Sequence, residues 1–284
     1  MDLRKVLSET EFANADKIQK ISGGDINAAY KFSNGNDDFF IKLNNADQFP
    51  ELFQKEANGL DELRANSAFK IPEIIRVGQD SNTQFLILEF MPSGNLKQNS
   101  WKNFAENLAV MHKVSQEYFG FYEHNYLGTQ KQDNSPKNSW AEFYSENRIE
   151  PSMKQAFDKG VFEQPYLKKS ENICSKFSEI FPEERSSLLH GDLWNGNYHV
   201  LQSGEITLID PAVYYGHREI DLGMAFLFGG FDKEFYQVYS EHYPLEPGFE
   251  QRYEISQLYP LIFHAIRFGG SYISHVKRIL DKFS

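Results

Sequence analysis

The chain has 284 residues, 40% hydrophobic and 15% aromatic, enough for a substantial core in one large domain or two packed lobes. Its formal net charge is −11 with no Lys/Arg-rich block, which argues against DNA or RNA as partner but leaves a locally bound anionic nucleotide open. No apolar run reaches membrane-span length, MDLRKVLSETEF has no signal-peptide core, and the lone Cys174 excludes an intramolecular disulfide and argues against a cysteine-based zinc site; a cytoplasmic protein with one buried thiol fits.

The first ninety or so residues read as a β-rich segment with one helix. ISGGDINAAYKF offers Gly23 and Gly24 for a phosphate-covering loop, without the full kinase glycine spacing. AAYKFSNG and DDFFIKLN are strand-like runs joined by SNGND, a hairpin turn. FPELFQKEANGLDELRA is helical, with Phe53, Ala57, Leu60 and Leu63 on one stripe. QFLILEFM, residues 84–91, is a continuous apolar run and reads as a buried strand. PSGN breaks it, so residues 1–91 are taken as one lobe and 92–284 as the other.

Beyond the break, helical patterns dominate to about Phe181. WKNFAENLAVMHKVS sets Phe104, Leu108, Met111 and Ser115 at helical spacing. Polar GTQKQDNSPKNS, residues 128–139, reads as a loop or a flap. LLHGDLWNGNYHV, residues 188–200, holds more small polar groups than an ordinary turn needs. Short strands, HVLQ and EITLID, follow that loop, the second ending at Asp210, and the remainder is helical again. The fold class is α+β: a two-lobed protein-kinase-like fold, with a small β-rich N-lobe, a larger mostly helical C-lobe and ATP in the cleft.

Phosphoryl transfer needs an acceptor for the attacking hydroxyl's proton and oxygen ligands for Mg²⁺. Asp192 and Asn197 are five residues apart and Asp210 follows at a strand end, the order found in the protein-kinase catalytic loop and its later metal-binding Asp. HGD alone would read as a solvated Asx turn; the full set in this frame reads as functional. Upstream, Lys42 on a strand and Glu56 on the next helix match the phosphate-orienting pair. Glu51 and Glu62 compete, and the midway place of Glu56 favours it. Backbone groups of Glu89 and Met91 in LEFM would bond adenine at a hinge. There is no G-x-x-x-x-G-K-[ST] and no H-E-x-x-H, which argues against a P-loop NTPase and a metal hydrolase. DPAVYYGHREIDL is too short for a protein-kinase activation segment, so the acceptor is a small hydroxyl compound or an exposed adduct.

The chain resembles the fructosamine kinase (ketosamine 3-kinase) family, within the aminoglycoside phosphotransferase and choline kinase-like group. SGGDINAAYKF, FFIKLN, LILEFM, LLHGDLWNGN, IDPAVYYGHREIDLGMAFLFGGF and PGFEQRYEISQLYPLIFHAIRFGG carry the resemblance over most of the chain. HGDL with GN is common to the whole group; the Trp after HGDL, DPA.YYGHRE.DL and FGGF are specific to fructosamine kinases. The resemblance implies ATP- and Mg²⁺-dependent phosphorylation of O3′ on a ketosamine, free or protein-bound, whose unstable product falls apart and repairs the amine. It implies Asp192 as proton acceptor, Asn197 and Asp210 as metal ligands, and Lys42 with Glu56 as the phosphate-orienting pair. It further implies Glu89, Phe90 and Met91 as the hinge and Trp194 near the sugar. Asp25 stands where several eukaryotic members carry a redox-active Cys, so that regulation should be absent.

Several residues carry two readings. Trp194 is a packed residue or a stacking platform for a sugar face. His264 is a satisfied core histidine or a substrate contact. Asp221 reads as a support for the catalytic-loop backbone, and His190 as a hydrogen-bonding anchor of that loop. His217 and Arg218 are a surface pair or further supports. Two other functions compete: a small-molecule kinase for an aminoglycoside, a choline-like alcohol or a sugar, and a nucleotide-binding pseudokinase. Trp194 and YYGHRE speak against the first; the joint presence of Lys42, Asp192, Asn197 and Asp210 speaks against the second.

Overall fold

The computed structural model describes residues 2–21 and 27–284. The expected phosphate-covering loop, with Gly23, Gly24 and Asp25, lies outside the described residues. Helix α1 (Leu3–Ser8) starts at Asp2, whose carboxylate accepts the amides of Arg4 and Lys5. Strands β1 (Asp16–Ile21), β2 (Ala28–Asn34), β3 (Asp37–Asn45), β4 (Ile74–Asp80) and β5 (Thr83–Glu89) form an antiparallel sheet of order β1-β2-β3-β5-β4. Helix α2 (Leu52–Asn66) lies between β3 and β4 in the chain. The expected hairpin is β2–β3: Asn34 pairs with Asp37, and Gly35 takes φ +67°, the left-handed geometry a two-residue turn requires.

Strand alternation sorts side chains to two faces. Phe39, Ile41, Leu43, Phe85 and Ile87 pack with Val6 and Leu7 of α1 in a small core. Leu86 and Leu88, in register with Lys42 and Phe40, belong to the other face, where α2 buries Phe53, Ala57, Leu60 and Leu63. Each such burial stabilises by roughly 1.5–3 kcal/mol. The period of two therefore delivers Lys42 to the α2 side.

The rest of the described chain is mainly helical. Helix α3 (Ser100–Met111) buries Phe104, Leu108 and Met111, while Ser115 lies past its end. A hairpin of β6 (Asn125–Leu127) and β7 (Gln130–Gln132) interrupts the helices. Then come α4 (Trp140–Tyr144), a π-helical turn (Ser145–Ile149), α5 (Glu150–Asp158), α6 (Gln164–Cys174) and α7 (Phe177–Ile180). Strand β8 (Ser187–Leu189) leads into the HGDLWNGN loop, β9 (Tyr198–Val200) and β10 (Ile206–Leu208) pair after it, and β11 (Tyr214–Gly216) returns to pair with β8. Helix α8 (Glu219–Phe226), a 3₁₀ turn (Leu227–Gly229), α9 (Lys233–His242), α10 (Phe249–Ser256), α11 (Leu258–Phe268) and α12 (Ser271–Phe283) complete the fold. Their core is continuous with α2 and with Leu86 and Leu88 of β5.

Two expectations need correction. Residues 128–139 are not a free loop or flap, because β7 (residues 130–132) pairs there and Gln132 and Asn134 are turned inward. Asn125 Oδ1 accepts from Gln132 (3.0 Å) and Asn134 (2.9 Å), and Asn125 Nδ2 donates to the Val213 carbonyl at 2.7 Å. Buried polar groups need partners, and here they find one another. The second correction concerns EITLID, which ends as a strand at Leu208. Asp210 sits two residues beyond, at φ +55°. A left-handed aspartate is a strained conformation of the kind that clusters at functional sites.

Candidate active site

The HGD segment is held from behind by α8. Asp221, fully buried, accepts the amides of His190 (2.7 Å) and Gly191 (2.9 Å), and His112 Nε2 lies 3.2 Å from its Oδ2. This is the supporting place expected of Asp221. Gly191 has φ +80°, and a Cβ there would lie 2.1 Å from the Ala212 carbonyl oxygen, so a side chain cannot fit. His190 Nε2 is 2.9 Å from the Ile209 carbonyl, which can only accept, so Nε2 carries the proton. Its Nδ1 then accepts the Asp192 amide at 3.2 Å. Burial holds the pKa of this imidazole below its usual value, consistent with a neutral ring. One histidine thus ties the loop carrying Asp192 to the segment just after β10 that carries Asp210.

A cleft of about 490 Å³ brings together Lys42, Glu56, Asp192, Trp194, Asn197, Asp210 and His264. Lys42 Nζ donates to Glu56 Oε1 at 2.6 Å and to Asp210 Oδ1 at 2.5 Å. Burial opposes its charge, but the Asp210 and Glu56 carboxylates outweigh that and raise its pKa. Glu56 is the helix carboxylate that reaches Lys42; Glu62 instead accepts from the Tyr215 hydroxyl at 2.8 Å, and Glu51 is exposed. Asn197 Nδ2 donates to Asp192 Oδ2 at 2.7 Å, and Ile209 N–H donates to the Asn197 carbonyl at 3.0 Å. The Asp192 carboxyl is pushed up to about 7, first by burial and then by the nearby Asp210 charge, against the pull of the Asn197 bond. That places a proton acceptor close to neutral pH.

The donor set also suits a hard cation. With Nδ2 committed to Asp192, the remaining polar atom of the Asn197 amide is an oxygen. Asp210 is partly exposed, and Lys42 engages only its Oδ1. Mg²⁺ takes one or two protein oxygens together with phosphate oxygens rather than a full protein cage. Among the described residues no three His, Cys, Asp or Glu groups converge. Asn197 and Asp210 fit the first kind of site.

Trp194 borders Asp192 and lies over Gly196, where a Cβ would meet the indole at 2.4 Å. Its other neighbour is Phe228, edge-on at 5.2 Å between ring centroids. His264 has one ring nitrogen satisfied within the helix, Nδ1 to the Pro260 carbonyl at 2.7 Å, while its ring also lines the cleft.

The family profile described as fructosamine kinase matches residues 2–284. The chain belongs to the fructosamine kinase family. A Vibrio vulnificus protein named "Probable ketoamine kinase" is 38% identical over 97% of this chain and 96% of its own length. The chloroplastic protein-ribulosamine 3-kinase of Oryza sativa subsp. japonica is 33% identical over 98% of this chain and 82% of its own. A crystal structure from Haemophilus somnus, named "Putative fructosamine-3-kinase", superimposes with TM-score 0.87 at 29% identity, covering 99% of this chain and 96% of that one. The aminoglycoside phosphotransferase APH(4)-Ia, in a ternary complex with AMP-PNP and hygromycin B, has TM-score 0.68 at 15% identity over 99% of this chain and 98% of its own, and shares the fold. The two-lobed kinase-like architecture expected from sequence is the one observed.

Within this family frame the remaining expected residues, among those described, lie outside the cleft. Glu89, Phe90 and Met91 do not line the 490 Å³ cleft. They are the last residue of β5 and the two that follow it; the Glu89 amide donates to the Glu73 carbonyl at 2.9 Å and Lys31 Nζ lies 4.2 Å from the Phe90 ring centre. His199 Nε2 binds the Met91 carbonyl at 2.9 Å. His217 and Arg218 are neither a surface pair nor loop supports. Both are buried, and Arg218 donates to both Glu184 oxygens (2.8 and 2.7 Å) and to the carbonyls of Tyr243 and Pro244. They fasten the start of α8 to the segments around 184 and 243. Sequence reasoning also missed Lys55, Phe228, Phe268 and Tyr272, which line the cleft. Phe228 and Phe268 lie inside the quoted family motifs, the one signal that could have found them.

Proposed function

We propose that this chain is an ATP-dependent kinase that phosphorylates the O3′ hydroxyl of ketosamines. The observation that carries the proposal is the single cleft holding Asp192, Asn197, Asp210 and the Lys42–Glu56 pair in a chain of the fructosamine kinase family. The Vibrio and rice relatives bear ketoamine and ribulosamine kinase names, and APH(4)-Ia binds an ATP analogue on the same fold. Residues 1–91 would form the N-lobe and residues 92–284 the C-lobe, with Glu89 to Met91 as the adenine hinge. A cytoplasmic location fits the single buried cysteine and the lack of any long apolar helix among the described residues.

Asp192, aligned by Asn197 Nδ2, takes the proton of the O3′ hydroxyl. The O3′ oxygen forms the new bond to the γ-phosphorus while the bond to the β–γ bridging oxygen breaks, and ADP leaves with that electron pair. Lys42, oriented by Glu56, neutralises charge on the phosphates. Asn197 and Asp210 would hold Mg²⁺, which supplies charge neutralisation at the transferring phosphates when bound. Trp194 and His264 bound the acceptor side of the cleft and position the sugar.

The test is ATP consumption by the purified protein with fructosamine, ribulosamine and erythrulosamine adducts, kanamycin and choline serving as controls. Turnover with at least one ketosamine and none with the controls is expected. Turnover with kanamycin or choline alone would replace the ketosamine by another alcohol.

A further inference from the structure

The acceptor side of the cleft has an aromatic wall of which the mechanism above uses only Trp194 and His264. Trp194, Phe228, His264, Phe268 and Tyr272 form a contiguous run of rings along it. Centroid separations are 5.2 Å for Trp194–Phe228, 5.4 Å for Phe228–His264, 5.0 Å for His264–Tyr272 and 5.6 Å for His264–Phe268. Phe268 is 51% exposed and Phe228 38% exposed, unusual for large apolar side chains.

The backbone is bent to build this wall. Phe228 adopts φ +61°, a left-handed conformation that costs an aromatic residue on the order of 1–3 kcal/mol. Its carbonyl accepts from Asn195 Nδ2 of the catalytic loop at 3.3 Å. Gly269 and Gly270, at φ +65° and +60°, separate α11 from α12 and fold Tyr272 back against His264 and Phe268. A strained turn and a glycine reversal that both present rings to one cleft point to a ligand rather than to core packing.

The wall's chemistry narrows the ligand. Among the described residues, no Lys or Arg lies over any of these five rings; the cleft's cations, Lys42 and Lys55, are paired with carboxylates. His264 gives its Nδ1 proton to Pro260, so Nε2 carries a lone pair. Aromatic faces with a neutral acceptor and a carboxylate nearby attract a cation. A ketosamine carries one: its secondary alkylamine is protonated near neutral pH. That nitrogen is four bonds from O3′, on the order of 5 Å. With O3′ at Asp192, a nitrogen at that distance is within reach of Trp194, which lines the same cleft.

We propose that the Trp194–Phe228–His264–Phe268–Tyr272 wall is a cage for the ketosamine's secondary ammonium and the first carbons of its alkyl arm. This rests on the ketosamine kinase reading. The cage selects substrates whose sugar is joined to a cationic nitrogen, and its open rim at Phe268 passes a lysine-like arm to solvent.

The experiment compares two acceptors: a ketosamine on hexylamine, and the same molecule with sulfur in place of the nitrogen, which is uncharged. Each is assayed with wild type, Phe268→Leu, Tyr272→Leu and the double variant, alongside KM for ATP and a thermal melt. The single variants alter partly exposed rings, so they report even where the double variant unfolds. In the variants KM for the amine should rise roughly three- to thirtyfold, KM for the thioether by less than twofold, and KM for ATP not at all. Equal losses for the two acceptors would overturn the cage while leaving the kinase reading intact. A wild type that turns over neither acceptor would sink the kinase reading and the cage together.

Discussion

Asn197 grips Asp192 at two points: its Nδ2 donates to the Asp192 carbonyl at 2.8 Å and to Oδ2 at 2.7 Å. The carboxylate cannot turn without breaking a bond that also anchors the loop. If Asp192 is the base, it must be deprotonated to work. Its pKa is about 7, raised by burial, so lowering the pH through 7 protonates it and removes activity. The acid limb of kcat/KM should fall about tenfold per pH unit below that value. A flat profile from pH 5.5 to 8.5 would take Asp192 out of the role.

Replacing the carboxylate gives a second check. Asp192→Ala should lower kcat by roughly 10²–10⁴-fold, the usual range for a positioned general base. Nucleotide affinity, measured by titration, should change little, since Lys42 and Glu56 remain paired. Turnover like that of wild type would assign the proton elsewhere.

Lys42 donates to one oxygen of the Asp210 carboxylate, Oδ1. Asp210→Asn keeps the shape and removes the charge, so Mg²⁺-dependent ATP affinity should weaken while affinity in EDTA stays close to wild type. Calorimetric titration under both conditions decides it. Equal affinities in wild type and variant with Mg²⁺ present would exclude Asp210 as a ligand.

Asp221 should matter for stability as well as for rate. Asp221→Ala strands the amides of His190 and Gly191, and at about 1–3 kcal/mol per unsatisfied buried group the fold should lose about 2–6 kcal/mol in denaturant unfolding. Asp221→Asn retains one acceptor oxygen and should lose less. An unchanged unfolding midpoint in the alanine variant would show that the loop holds its shape without this carboxylate.

Cys174 is buried at the end of α6, and burial pushes its thiol up to about 12. Thiolate is the reactive form, so mild peroxide should leave activity unchanged, as should reductant. Reversible inactivation by peroxide, abolished in Cys174→Ala, would contradict this.

What could be read from the chain follows from distance along it. Asp192 and Asn197 share one loop, and Lys42 and Glu56 meet because a period-two strand and a helix stripe point them at each other. The HGD loop's need for backing by Asp221 was legible as well. The aromatic wall was not, since Trp194, Phe228, Phe268 and Tyr272 come from distant segments that a 3₁₀ turn and the Gly269–Gly270 reversal bring together. The β6–β7 hairpin was hidden for a different reason: its strands are three residues long, too short for an alternation to show. Arg148 was invisible too. It is fully buried between the rings of Phe143 and Tyr214, at 4.6 and 4.5 Å, where its charge meets the Asn134 amide oxygen.

The bond from His199 to the Met91 carbonyl has a consequence for base choice. An adenine at the hinge would give its amino group to the Glu89 carbonyl and take the Met91 amide. A guanine turned the same way sets its oxygen against that carbonyl and its ring N–H against that amide. Its 2-amino group is the one donor that would gain, and the acceptor it would reach already takes one bond, from His199 Nε2, so only one lone pair is left for it. With Glu89 to Met91 as the proposed hinge, purine discrimination would rest partly on a bond the protein makes with itself. Freeing that oxygen with His199→Ala should narrow the ratio of ATP to GTP turnover, and an unmoved ratio would place the discrimination at another contact.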